Sequence, residues 1–128
     1  MPLWIWVALG SAIGGVGRYA VAKILSSVPG GWPIATMSVN ALGSLAIGAL
    51  SVLLAARAAT DGGDSSAEAM RVFWMTGVLG GFTTYSAFAL ETVGLAADGA
   101  PWRAVAYVIS TVLLCVVAAS VGRWLVAP

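Results

Sequence analysis

Four apolar helices crossing a lipid bilayer are the fold class that this sequence predicts, and three observations predict it. Of its 128 residues, 60% are hydrophobic and only 9% charged, and the mean hydropathy is +0.97, far from the make-up of a water-soluble domain. The apolar residues fall into four runs, about residues 3–25, 34–56, 72–95 and 102–126. Each is close to the ~20 residues that a hydrocarbon core ~30 Å thick requires. The six tryptophans, at 4, 6, 32, 74, 102 and 124, all lie at or near the ends of these runs, where an amphipathic ring sits at the headgroup level. The expectation is a single all-α integral membrane domain over 1–128, with no room for a soluble catalytic domain. Histidine is absent, so a histidine metal site or proton relay is excluded. A net charge of +1 argues against nucleic acid as a partner, and one cysteine, Cys115, cannot close a disulfide within the chain.

The first run, Leu3 to Leu25, carries its charges at its far end, the reverse of a cleaved leader, so it is expected to stay as a helix. Gly10 and Gly14, four apart, permit close approach of another helix. Arg18 either snorkels to the interface or lines a water-filled vestibule and attracts anions. Pro29-Gly30-Gly31-Trp32-Pro33 cannot continue a helix and predicts a turn.

On the second run Thr36, Asn40, Ser44 and Gly48 recur every four residues, with Ser51 close to the same face. This polar stripe is either glue between helices or the lining of a vestibule. Asn40 is its costly member, because an amide in hydrocarbon must find partners. Residues 57–71 form a polar loop, and no motif is legible in it.

The third run contains Gly77, Gly80 and Gly81, then Thr83, Thr84, Tyr85 and Ser86. Glycine and β-branched threonine both weaken a helix. A break or bend near Gly80 to Thr84 is expected, the alternative being a glycine packing surface on a continuous helix. Backbone groups freed inside a membrane persist only where buried in protein, facing water or coordinating something, so a break there is a candidate site. Glu91, farther along this run, is expected to be structural ahead of a vestibule role. Tyr107, Ser110 and Thr111 make a polar shoulder on the fourth run.

Four spans place Arg57, Arg71 and Arg123 on one side and Lys23 and Arg103 on the other, with Arg18 a third if it counts. So little bias in Lys and Arg predicts insertion in both orientations, which permits an antiparallel dimer with its two-fold axis in the membrane plane.

Three stretches resemble, in order and spacing, the signatures of the small bacterial Fluc-type fluoride channels, the CrcB-like family. They are Gly14-Gly15-Val16-Gly17-Arg18-Tyr19, Thr36-Met37-Ser38-Val39-Asn40-Ala41-Leu42-Gly43, and Gly77 through Phe88 with Glu91-Thr92. The resemblance spans essentially the whole chain. It implies a dual-topology homodimer in the bacterial inner membrane that passes fluoride passively through two antiparallel pores and lowers its cytoplasmic level. It also implies a structural sodium ion at the dimer centre, held by backbone carbonyls that correspond to Gly80 and Thr83 of each subunit. The family's paired pore phenylalanines fall on Tyr85 and Phe88, its pore asparagine on Asn40, its hydroxyl track on Ser86 and the following position, its helix-four serine on Ser110, and its vestibule arginine on Arg18. Two positions depart from the family pattern: Tyr85 stands where phenylalanine is usual, adding a phenol beside the path, and Ala87 stands where threonine is usual, removing a hydroxyl.

The chemistry agrees with that implication. Fluoride is small and strongly hydrated, so a pore must replace water's donors while holding the ion weakly enough to release it. Two other classes share the gross features. A small multidrug-type proton-coupled exporter also has four helices and dual topology, but resembles its relatives in carrying a glutamate in helix one, and helix one here has none. A non-transporting assembly subunit predicts that Asn40→Ala and Phe88→Ala leave every ion flux unchanged.

Overall fold

The computed structural model describes residues 1–25, 31–60 and 65–127, and among them there is no strand. The elements are α1 (Leu3–Leu25), α2 (Ile34–Thr60), α3 (Ser65–Arg71), a π-helical segment (Val72–Leu79), α4 (Gly80–Phe82), α5 (Tyr85–Ala97) and α6 (Pro101–Leu125). Three of them, α1, α2 and α6, are long and apolar enough to cross a membrane as single helices. The third apolar run is interrupted: Thr83 and Thr84 are both extended, with ψ of 159° and 110°. The expected break is there, so the run is not a continuous helix, although the glycines before it do pack against a neighbour.

Two boundaries differ from expectation. Helix α2 runs on to Thr60, and helix resumes at Ser65, so most of the anticipated 57–71 loop is helical. Alanine-rich sequence around Arg57 sustains the helix where charge alone suggests a loop. The Asp61 to Asp64 part of that loop, and residues 26–30 of the first turn, lie outside the described residues. Between α5 and α6 the reversal depends on Gly99, whose φ of 76° suits a residue without a Cβ. Pro101 then opens α6 at a position where its missing N–H costs nothing.

Packing pairs the helices in parallel rather than by sequence neighbourhood. Trp6 meets Phe73, with ring centroids 6.0 Å apart, and farther on Gly14 lies against Val78 and Phe82. Thus α1 advances together with the first half of the broken third run, called helix three and made of the π-helical segment, α4 and α5 (residues 72–97). In the same way Thr36 and Tyr107 share one partner, while Gly48 lies against Ala119, so α2 and α6 run parallel. Helix three changes partner at its break: α4 and the π-helical segment pack on α1, whereas α5 packs on α6.

Glycine makes both contacts possible. A Cβ on Gly10 would stand 2.5 Å from the Phe73 carbonyl oxygen, one on Gly77 2.9 Å from the Cα of Gly10, and one on Gly81 2.6 Å from the Ser11 carbonyl oxygen. Across the other pair, Gly48 abuts the Ala119 backbone and Gly122 the Leu45 backbone. Backbones so close gain dispersion and weak Cα–H···O contacts, which drive helix association where no water is displaced. Few large side chains are enclosed: Val39 and Tyr107 are fully buried, while Leu90, Val93 and Leu113 face outward, the inverse of a water-soluble core.

Candidate functional site

The break is held by one side chain. Thr84 donates its N–H to Asn40 Oδ1 at 2.8 Å, and Asn40 Nδ2 donates to the Thr84 carbonyl at 3.1 Å. The Asn40 amide thereby replaces the neighbouring peptide that an unbroken helix would supply. Thr84 also caps α5, its Oγ1 accepting from the Ala87 N–H at 3.2 Å.

These two bonds leave two carbonyls behind. In a continuous helix the Gly80 oxygen accepts from the N–H of Thr84 and the Thr83 oxygen from that of Ala87. Here both donors are turned to side-chain oxygens. Gly80 and Thr83, the two carbonyl positions that the resemblance implies, are thus among the carbonyls of the break whose helical donors have been taken away. Thr83 itself doubles back, with its N–H and Oγ1 both donating to the Leu79 carbonyl at 3.0 and 2.9 Å. Gly43 lets it approach α2, since a Cβ there would collide with Thr83 Cγ2.

Beside the break lies an open cavity of about 420 Å³. Asn40, Gly80, Thr83, Tyr85 and Phe88 line it, as do Ser44, Thr111 and Cys115. The Tyr85 and Phe88 rings are 5.6 Å apart and tilted by 53°, and Tyr107 follows Phe88 at 5.2 Å. The structure therefore brings together Asn40, Gly80, Thr83, Tyr85 and Phe88. Ser86, Ser110 and Arg18 do not line this cavity. The Ser86 hydroxyl is exposed, 3.4 Å from that of Thr84, and the Ser110 hydroxyl donates back to the Tyr107 carbonyl at 3.2 Å. Arg18 is half-buried on α1.

On α6 it is Thr111 that lines the cavity with a buried hydroxyl lacking a partner. Sequence spacing marks Thr111 only as part of a polar shoulder. Which of two adjacent hydroxyls turns inward depends on how α6 sits against α2, and local pattern does not carry that. A second cluster lies close by. Thr36 donates to Glu91 Oε1 at 2.7 Å and Tyr107 donates to Oε2 at 2.6 Å, so the carboxylate joins α2, α5 and α6. This is the structural role expected of Glu91. Tyr107→Phe should lower stability by about 1–3 kcal/mol, the cost of leaving a buried acceptor without its donor, measured by thermal unfolding in detergent. Among the described residues no group of three or more His, Cys, Asp or Glu side chains could hold a metal.

Long apolar helices paired through glycine, one of them broken beside a cavity with unpaired oxygen and hydroxyl groups, define a multi-pass membrane protein with a site inside its helical bundle. Residues 5–123 match the family described as CrcB-like protein, Camphor Resistance (CrcB), and the chain belongs to that family. It is 43% identical to a protein of Paracoccus denitrificans, with 97% of each chain covered. It is 44% identical to one of Roseobacter denitrificans, over 97% of this chain and 94% of the relative. A third relative, from Opitutus terrae, is 41% identical over 96% of this chain and 91% of its own length. All three are named fluoride-specific ion channel FluC.

Proposed function

We propose that this protein is a fluoride channel that lets the ion leave the cytoplasm down its gradient and so limits fluoride toxicity, without enzymatic chemistry. The observation that carries the reading is identity of 41–44% over nearly the full length to proteins named fluoride-specific ion channels. The cavity beside the helix break supplies the chemistry in agreement with it. One N–H of the Asn40 amide is engaged by Thr84 and the other remains to donate. The Thr111 hydroxyl is a second donor, and the edges of Phe88 and Tyr85 present the positive part of the ring quadrupole to a partly dehydrated anion. Arg18 raises the local anion concentration at the vestibule, and Ser86 and Ser110, the resemblance's hydroxyl positions, would join the path only by turning from the positions they hold here.

The assembly is an antiparallel homodimer of four-span subunits in the bacterial inner membrane. Parallel pairing of α1 with helix three supports reading the broken run as a fourth crossing in two pieces. Basic residues divide almost evenly between the two ends, which favours neither orientation. One copy leaves the cavity and the Gly80 carbonyl open at its side, and a second copy would close them. Gly80 and Thr83 fit a hard monovalent cation, because carbonyls without N–H donors are neutral oxygen ligands. Sodium bound there by both subunits would supply positive charge that ties the two breaks together, and it is not transported.

A proton-coupled exporter remains as a second reading only through Glu91, and both oxygens of that carboxylate accept hydrogen bonds from neighbouring helices. Efflux from liposomes decides. Purified protein with valinomycin should release fluoride rapidly and chloride not at all, and exchanging sodium for a bulky organic cation during purification should weaken the dimer. Fluoride accumulation driven by a proton gradient, at zero voltage and without a fluoride gradient, would establish coupling and overturn the channel.

A further inference from the structure

Tyr85 is 80% exposed, the most accessible large aromatic among the described residues, and its hydroxyl makes no hydrogen bond with any of them. Tyrosine is common at membrane interfaces, where lipid headgroups and water satisfy the phenol. Tyr85 is not at an interface. It opens α5 immediately after the break, about midway between Val72, where the π-helical segment begins, and Ala97, where α5 ends. A phenolic O–H left without a partner at that depth is costly, so something not contributed by this subunit's own side chains must accept from it.

Its surroundings narrow the choice. Tyr85 lines the same cavity as the spare Asn40 N–H and the unpartnered Thr111 hydroxyl, and its ring lies 5.6 Å from that of Phe88. The Asn40 N–H can only donate, while the hydroxyls of Tyr85 and Thr111 can donate or accept. On the channel reading, the occupant that the phenol and the spare amide N–H meet in this cavity is the anion. We infer that the Tyr85 hydroxyl donates a hydrogen bond directly to the permeating anion at the cavity, so that this chain holds fluoride there with an O–H donor in addition to ring edges. The inference rests on the channel reading above. Small, charge-dense fluoride accepts a shorter and stronger O–H hydrogen bond than larger halides do. The phenol therefore offsets part of the dehydration that entry to the cavity imposes.

Tyr85→Phe removes the oxygen alone and leaves the ring, its packing against Phe88 and its edges. The test is fluoride efflux from liposomes carrying wild-type or Tyr85→Phe protein, with chloride efflux as a leak control and the oligomeric state read by glutaraldehyde crosslinking. A charged-acceptor hydrogen bond predicts a drop in fluoride flux of about tenfold. The crosslinked dimer and the chloride background should be unchanged. Wild-type flux in Tyr85→Phe would overturn the inference while leaving the channel intact. A flux loss that tracks loss of the dimer would also overturn it, making the phenol a contact between subunits. A wild-type protein that passes no fluoride would remove the channel reading and this inference with it.

Discussion

Asn40→Ala should collapse both stability and flux, because the amide does two things at once. It accepts the Thr84 N–H at 2.8 Å and donates to the Thr84 carbonyl at 3.1 Å, closing the gap in helix three. Truncation strands both backbone groups in a membrane-embedded break, at roughly 1–3 kcal/mol apiece. A loss of about 3 kcal/mol is expected in thermal unfolding in detergent, allowing for water that enters the open cavity. Fluoride efflux should fall on the order of a hundredfold, a loss of about 2.7 kcal/mol in transit energy. Asn40→Asp separates the two roles. An aspartate still accepts from Thr84, so it should recover part of the stability, but it brings negative charge and no N–H donor, so flux should stay abolished. Full stability with normal flux in Asn40→Ala would show that Thr84 is satisfied without it.

Two adjacent glycines on α1 make the second test. Gly14 lies directly against the backbone of Val78 and Phe82, whereas nothing lies within 4 Å of a Cβ placed on Gly15. Backbone cannot rotate away as a side-chain end does, so Gly14→Ala must push α1 off helix three. Overpacking of this kind costs about 3 kcal/mol, the top of its usual range. Gly15→Ala should be neutral or raise stability by up to ~1 kcal/mol, since alanine is the better helix former. Thermal unfolding of the two variants in detergent, side by side, checks the contrast. Equal behaviour would mean that α1 does not seat on Val78.

Much of the site was legible in the sequence. Glycine and threonine propensities left a break near Gly80 to Thr84 and a continuous helix both open, and the break lies at Thr83 and Thr84. Asn40 stood out as an amide in need of partners. The resemblance pointed to Tyr85, Phe88, Gly80 and Thr83, and these residues line one cavity, whereas Ser86, Ser110 and Arg18, to which it also pointed, do not. What escaped was how these groups pair. Nothing in the spacing of the second run says that Asn40 would meet the backbone of Thr84, 44 residues away. Nor does it say that Thr36 and Tyr107 would share Glu91. The choice of Thr111 over Ser110 as the residue lining the cavity was equally hidden, because one residue along a helix is a rotation of about 100° and only the neighbouring helix decides which direction is inward.

By itself, then, the sequence determined the solvent this chain lives in, the approximate limits of its apolar runs, the place where one of them could break and the family it resembles. These are local quantities, set by transfer free energy, backbone entropy and motif order. Tertiary structure alone decided that α1 pairs in parallel with the first half of helix three, that α2 pairs with α6, and that helix three exchanges one partner for the other at its break. The reason is that lipid rewards burial of an apolar side chain no more than another helix does. Partner choice passes to close backbone contact at Gly10, Gly14, Gly48 and Gly122 and to the few polar groups that must find one another, and both depend on three-dimensional fit.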